Sequence, residues 1–147
     1  MSLVGANRSE DDVTVEEIIK RHPRASSLDR ELLLRCVNEC FDCAASCNAC
    51  ADACLGEPDV AELVRCVRLN EDCADECNAT GRIVSRQTEP DVEVIRAAIE
   101  ACVAACRACG DECERHAPHH DHCRVCEQVC RSCERACRDL LASMGSS

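Results

Sequence analysis

The sequence predicts an all-α protein: an antiparallel up-down-up-down four-helix bundle with a short N-terminal helix and a cysteine-lined core. Three observations support this fold class. Proline-containing turns divide the chain into four segments of similar length, strand-like alternation of apolar and polar residues is absent, and cysteines recur at helical spacing within each segment. Because the connections between segments are short, neighbouring helices should run antiparallel.

The N-terminal segment, residues 1–27, is predicted to contain a short helix. Residues 14–17 (Thr-Val-Glu-Glu) have the form of a capping box, and the helix that they begin should end before Pro23. This segment could cover one end of the bundle or contact another subunit, and the sequence does not choose between these roles. The four-helix bundle is expected over residues 28–143, followed by a C-terminal tail, residues 144–147.

Three turns, at residues 56–59, 88–91 and 117–119, separate the long helices, and each contains a proline. Proline suits the first turn of a helix because that turn needs no backbone N–H donor. The predicted helices are each about 37 Å long at 1.5 Å per residue. They cover residues 28–55, 59–86, 91–115 and 119–143.

Composition and charge exclude several classes of protein. At 147 residues the chain fits one domain. Its net charge is −11 and its arginines are dispersed among acids, which argues against nucleic acid as a partner. No segment is apolar enough to cross a membrane, and the start of the chain does not have the form of a signal peptide. We therefore expect a cytoplasmic protein whose thiols are kept reduced.

Cysteine is the anomaly of the composition, with 18 residues against one phenylalanine and no tyrosine or tryptophan. Within each predicted helix the cysteines are separated mostly by three and four residues, so each helix carries a cysteine seam along one face. A coiled-coil bundle normally places leucine at these positions. In the second helix Asn70 stands where the spacing predicts another thiol. The seams comprise Cys36, Cys40, Cys43, Cys47, Cys50 and Cys54; Cys66, Cys73 and Cys77; Cys102, Cys106, Cys109 and Cys113; and Cys123, Cys126, Cys130, Cys133 and Cys137.

Two ordinary uses of cysteine explain these seams poorly. A single buried cysteine can serve as a small apolar side chain, but leucine or alanine would fill a whole core better and would not oxidise. Disulfides along a helix are disfavoured by distance. Residues at i and i+4 have Cβ atoms about 5–6 Å apart, whereas a disulfide requires about 3.5–4.5 Å.

Metal binding removes this mismatch, because two metal–sulfur bonds of about 2.3 Å span about 4.6 Å. The C-x3-C pair is therefore a ready two-coordinate site. Cys66 and Cys123 are left over, and His119 precedes Cys123 by four residues. The eight pairs are Cys36 with Cys40, Cys43 with Cys47, Cys50 with Cys54, Cys73 with Cys77, Cys102 with Cys106, Cys109 with Cys113, Cys126 with Cys130, and Cys133 with Cys137.

Soft thiolates select Cu(I), zinc or iron–sulfur clusters. One Cu(I) per thiolate would leave a neutral core, whereas each zinc with four cysteines would carry a charge of −2. Iron–sulfur proteins favour a C-x2-C-x2-C-x3-C-P run, which does not occur here. Many Cu(I) ions, on the order of one per cysteine, are thus favoured over a zinc or general soft-metal buffer and over an iron–sulfur electron carrier. A thiol oxidoreductase is less consistent still, because the thiols are many and equivalent, and we predict no enzymatic activity.

Residues 28–143 resemble the cytosolic bacterial copper storage proteins, which are four-helix bundles with cysteine-lined cores. The resemblance rests on the four cysteine seams, on their C-x3-C pairs and on a chain start that does not have the form of a signal peptide. The resemblance implies multiple bound Cu(I) ions and copper homeostasis as the role. It also implies a homotetramer of bundles. A copper-donating or copper-accepting protein is a further candidate partner.

The predicted topology gathers the histidines at one end of the bundle, which we call the histidine pole. We hypothesise that Cu(I) arrives there, is first held by His116, His119, Cys113 and Cys123, and then moves along the seams by ligand exchange. The alternative is a turn that is simply polar and rich in histidine. His120 and His122 lie nearby without an assigned role. The opposite end, the apolar pole, should gather Leu32, Val84, Ile95, Ile99, Leu140, Leu141 and Met144.

Overall fold

The computed structural model describes residues 14–145. Within this range the chain forms five α-helices and one 3₁₀ helix and contains no strand, which confirms the all-α prediction. Residues 1–13 of the predicted N-terminal segment and residues 146–147 of the predicted tail lie outside the described residues. The α-helices are α1, Thr14–Lys20; α2, Arg30–Leu55; α3, Val64–Ser85; α4, Val92–His116; and α5, Asp121–Met144.

The helix starts follow from local capping. The Asp29 carboxylate accepts from the Leu32 backbone N–H at 3.0 Å and begins α2 two residues later than predicted. The predicted second helix was wrong at its start, since Val60–Leu63 forms a 3₁₀ helix and α3 begins only at Val64. Asp59 makes no side-chain capping bond there, because its carboxylate is bonded to His120 instead.

The four long helices form a closed ring. Helix α2 packs against α3 and α5, and α4 packs against the same two helices. The chain direction alternates, because Cys54 near the end of α2 contacts Cys66 near the start of α3, while Cys36 near the start of α2 contacts Cys137 near the end of α5. This arrangement is the predicted up-down-up-down bundle.

The apolar pole lies where sequence analysis placed it, with Leu32, Leu141 and Met144 partly buried against its core. Val84, Ile99 and Leu140 are completely buried, whereas Leu32 is only half-buried and its neighbour Leu33 is 1% exposed. Leu33 precedes Cys36 by three residues and therefore shares the buried face of α2. Each such side chain contributes about 1.5–3 kcal/mol by leaving water. This end therefore supplies much of the hydrophobic stabilisation that the small thiols do not.

Helix α1 packs on its own bundle beside the apolar pole. The Asn38 side-chain amide donates to the Glu16 carboxylate at 3.1 Å, and Ile19 packs against the core. Gln87 is 5% exposed; its amide nitrogen donates to the Val84 carbonyl at 2.8 Å, and its oxygen accepts from the Ser26 hydroxyl at 2.6 Å. These bonds join the segment after α1 to the α3–α4 connection, which closes this end.

Helices α2 and α3 approach closely at a glycine. A Cβ atom at Gly81 would lie 2.9 Å from the Phe41 ring, so the absence of a side chain makes room for the single phenylalanine. No helix between residues 14 and 145 has the length and apolar character needed to span a membrane.

Candidate metal centre

All eighteen cysteines lie in the described part of the chain, and all are buried as free thiols. Their side chains are between 0 and 4% exposed. The heptad spacing on each helix explains this convergence, because it keeps every cysteine seam facing the bundle axis. The interior between the two poles is therefore lined with sulfur.

The sulfur atoms meet mainly across helices. Cys77 Sγ lies 3.6 Å from Cys102 Sγ, and Cys47 Sγ lies 3.6 Å from Cys130 Sγ. Two of the eight predicted C-x3-C pairs, Cys43 with Cys47 and Cys73 with Cys77, have sulfurs 3.7 Å apart. The sulfurs of three more pairs lie within 4.8 Å of each other: Cys50 with Cys54, Cys126 with Cys130, and Cys133 with Cys137. Spacing along a helix and packing between helices therefore both bring thiols together.

Several groups of four thiols have all four sulfurs within 4.8 Å of one another, and each group draws on at least three helices. Three sulfurs around one metal at about 2.3 Å would be about 4.0 Å apart, close to the observed contacts. Cys43 and Cys47 each belong to two groups, so their thiolates could bridge neighbouring ions. The groups are Cys40, Cys102, Cys133 and Cys137; Cys43, Cys47, Cys73 and Cys130; Cys43, Cys77, Cys106 and Cys133; and Cys47, Cys109, Cys126 and Cys130.

A further group at the histidine pole contains a nitrogen ligand. It consists of Cys50, Cys54, Cys123 and His122, again within 4.8 Å of one another. His122 Nδ1 lies 3.5 Å from Cys50 Sγ and 3.7 Å from Cys123 Sγ, while its Nε2 lies 2.8 Å from the Glu57 carboxylate. A carboxylate that accepts from Nε2–H leaves Nδ1 free as a metal ligand.

The two histidines predicted as ligands are placed differently. His116 is half-buried, and its Nε2 lies 2.9 Å from the carboxylate of Glu112, which is 6% exposed. His119 is exposed. Within residues 14–145 neither histidine is hydrogen-bonded to a thiol. The i, i+4 spacing from His119 to Cys123 does not apply, because α5 begins only at Asp121.

His122 is the residue that sequence reasoning left without a role. A signal for it was present, since His122 precedes Cys126 by four residues within the same helix. His120 occupies a polar clamp instead: its Nδ1 lies 3.1 Å from Glu57 and its Nε2 lies 3.0 Å from Asp59. The hydrogen bond that His120 donates to the Asp59 carboxylate raises the pKa of His120 and lowers the pKa of the Asp59 carboxyl.

The surroundings of individual thiols set how readily they lose a proton. Burial raises the pKa of the Cys54 thiol to about 11. At the other end of the thiol core, hydrogen bonding from Cys137 lowers the pKa of Cys36 to about 5, because the donated S–H stabilises the thiolate. A metal that binds at Cys54 must therefore displace a firmly held proton.

Comparison with known proteins decides the class of this metal centre. A model of the Csp family, described as copper storage protein, matches residues 29–142. The chain belongs to the copper storage protein family. This assignment confirms the predicted resemblance and supports copper storage over a zinc buffer. No curated protein matches the chain.

Three solved structures show how similar the relatives are. The copper storage protein Ccsp from Streptomyces lividans, loaded with 10 copper equivalents, is 53% identical with a TM-score of 0.86, covering 88% of this chain and 99% of its own. A cytosolic copper storage protein from the same organism, with five coppers, is 56% identical with a TM-score of 0.77, covering 78% and 96%. The Cu(I)-bound copper storage protein BsCsp3 is 35% identical with a TM-score of 0.64, covering 72% and 94%.

Proposed function

We propose that this member of the copper storage family holds Cu(I) through thiolates throughout the bundle core, on the order of one ion per cysteine. The observation that carries the proposal is the set of eighteen buried free thiols, whose four-sulfur groups share members across the helices. Shared thiolates suit a cluster of ions better than separate closed sites. The stored copper is cargo, and the protein contributes the ligands and a cavity that excludes water.

Charge supports the monovalent ion. Burying an uncompensated thiolate costs several kcal/mol, whereas a Cu(I) that replaces the thiol proton leaves the core neutral. A divalent metal with four thiolates would leave a net negative charge at each site. Within residues 14–145, none of the thirty-five buried residues is basic, so no buried positive charge could offset such a site.

We place copper uptake at the histidine pole. The capture residues remain those predicted from the sequence, His116, His119, Cys113 and Cys123, and the geometry adds His122 as the nitrogen nearest to the sulfurs. Imidazole and exposed carboxylates at this end offer weak ligands before the buried thiolates. The opposite end is filled with apolar side chains, which disfavours passage of an ion there.

An anaerobic titration with Cu(I) against a competing chelator tests the capacity. About one copper per cysteine and one proton released per thiolate are expected. Four or five equivalents of metal per chain would instead match closed four-thiolate sites and would contradict the proposal.

Loading kinetics test the place of uptake. Replacing His116 and His119 with alanine should slow copper loading and leave the final capacity unchanged. His22→Ala is the matched control, because His22 bonds to Thr88 at the opposite end of the bundle. Loading of the double variant at the wild-type rate would defeat the uptake proposal.

We further infer a non-catalytic role, a cytoplasmic location and a homotetramer. Redox catalysis by cysteine needs an exposed thiol of low pKa, and every cysteine here is buried. The location is supported by the relative described as cytosolic, and the tetramer by the family resemblance. Light scattering should give about four times the chain mass of 16.1 kDa. A copper-donating or copper-accepting protein is the proposed partner, and neither nucleic acid nor membrane is proposed.

A further inference from the structure

The sulfur contacts divide the eighteen cysteines into two sets. Contacts of 3.6–3.9 Å link thirteen of them into one continuous network, which we call the inner thiols: Cys36, Cys40, Cys43, Cys47, Cys73, Cys77, Cys102, Cys106, Cys109, Cys126, Cys130, Cys133 and Cys137.

The remaining five cysteines, the outer thiols, lie at the histidine pole. Cys66 Sγ is 3.9 Å from both Cys54 Sγ and Cys113 Sγ, while Cys50 and Cys123 meet at His122. The two sets meet at Cys113, which hydrogen-bonds with the inner thiols Cys109 and Cys126. Copper that arrives at the histidine pole must therefore pass this junction to reach the inner thiols.

Asn70 lies beside this junction. Its side chain is completely buried and stands in the cysteine seam of α3. The amide nitrogen donates to the outer thiol Cys66 at 3.5 Å. The amide oxygen accepts from the inner thiols Cys109 and Cys126, each at 3.0 Å, and from the outer thiol Cys113 at 3.8 Å. One neutral side chain thus bonds to both sets.

The bonds that the amide oxygen accepts suit only the empty protein. A thiol can donate to the amide oxygen, but a thiolate bound to copper has lost its proton and can only accept. Filling of Cys109 and Cys126 would leave the Asn70 oxygen facing two sulfurs that offer it no hydrogen. Rotation of the amide by about 180° would present its N–H groups to them instead, because oxygen and nitrogen are nearly the same size.

We propose that Asn70 is a positioning residue that controls transfer of Cu(I) from the outer to the inner thiols. Its amide accepts from the inner thiols before loading and turns to donate to their thiolates as copper replaces the protons. In each transfer the Cu–S bond to an outer thiolate and the S–H bond of an inner thiol break, a Cu–S bond to the inner sulfur forms, and the proton passes to the vacated outer thiolate, with no change in the oxidation state of copper. The inference rests on the copper storage function and on uptake at the histidine pole.

Loading kinetics of the Asn70→Ala variant test this role. With Cu(I) under anaerobic conditions, the outer thiols should fill at the wild-type rate, and the inner thiols should fill about tenfold more slowly, the effect of about 1.4 kcal/mol on the barrier. Asn78→Ala is the matched control, because Asn78 is exposed on the same helix. If the inner thiols of Asn70→Ala filled with copper at the wild-type rate, the proposal would be overturned. If wild-type protein showed no separate phase in which the outer thiols fill first, uptake at the histidine pole would be refuted.

Two further measurements separate this role from simple core packing. Asn70→Cys should bind one additional copper and fill its inner thiols at least as fast as wild type, because its sulfur adds a thiolate ligand where the two sets meet. An inner phase as slow as that of Asn70→Ala would count against the proposal. In ¹⁵N-labelled wild-type protein, the Asn70 side-chain amide signal, assigned by its loss in Asn70→Ala, should shift as the inner thiols fill. A signal that stays unchanged through full loading would exclude the rotation.

Discussion

Glu57 offers a sharp test of how the histidine pole captures copper. Its carboxylate lies 2.8 Å from His122 Nε2 and 3.1 Å from His120 Nδ1, so it fixes the ring that points at Cys50 and Cys123. Replacing Glu57 with alanine removes the acceptor that selects the Nε2–H tautomer. His122, with its side chain 26% exposed, would then turn more freely and present Nδ1 for only part of the time.

The expected cost is a 10- to 100-fold loss of affinity for the first copper, or about 1.4–2.8 kcal/mol, which is typical when a carboxylate partner of a metal-binding histidine is removed. Substoichiometric Cu(I) titration against a chelator measures it directly. Glu62→Ala is the control, because Glu62 is exposed in the adjacent 3₁₀ helix. First-copper affinity that is the same in Glu57→Ala and Glu62→Ala would refute the reasoning that His122 Nδ1 is a positioned ligand.

Three further outcomes are expected. Ile99 is fully buried at the apolar pole, and Ile99→Ala should lower the free energy of unfolding of the copper-free protein by about 2–5 kcal/mol in a urea titration. A loss below about 1 kcal/mol would show that this end does not hold the empty bundle together. Burial raises the pKa of Cys54 to about 11, so copper must displace its proton throughout the neutral pH range. Chelator competition should therefore show that copper binding at Cys54 weakens about tenfold for each pH unit of acidification. A copper affinity that does not change with pH would contradict thiol deprotonation. Gly81→Leu should destabilise the protein by about 1–3 kcal/mol through its clash with Phe41, while the exposed Ala79→Leu should not, and equal stability of the two variants would argue against close α2–α3 packing.

Much of the fold was predictable because it rests on local rules. Heptad spacing placed one face of each helix inside, and the prolines marked the turns, so the bundle and its cysteine seams could be assigned without coordinates. The start of the second long helix was not predictable in this way. Asp59 looks like a capping residue, but its carboxylate is held by His120, which lies 61 residues away in the chain.

The same limit applied to the histidines. The spacing from His119 to Cys123 predicts that both lie on one helix, but that helix begins after His119. His122 became the nitrogen nearest the thiols because its ring is fixed by Glu57 from the connection after α2. A partner so distant in sequence leaves no periodic signal.

The sequence by itself determined that eighteen sulfurs would converge inside a four-helix bundle with one apolar end and one histidine-rich end, since helical periodicity alone decides which side chains face inward. Only the tertiary structure decided which sulfurs are neighbours across helices, which imidazole reaches them and which thiols Asn70 contacts. Those relations depend on the axial register of packed helices, and register is fixed by side-chain interlocking between helices rather than by spacing along any one of them.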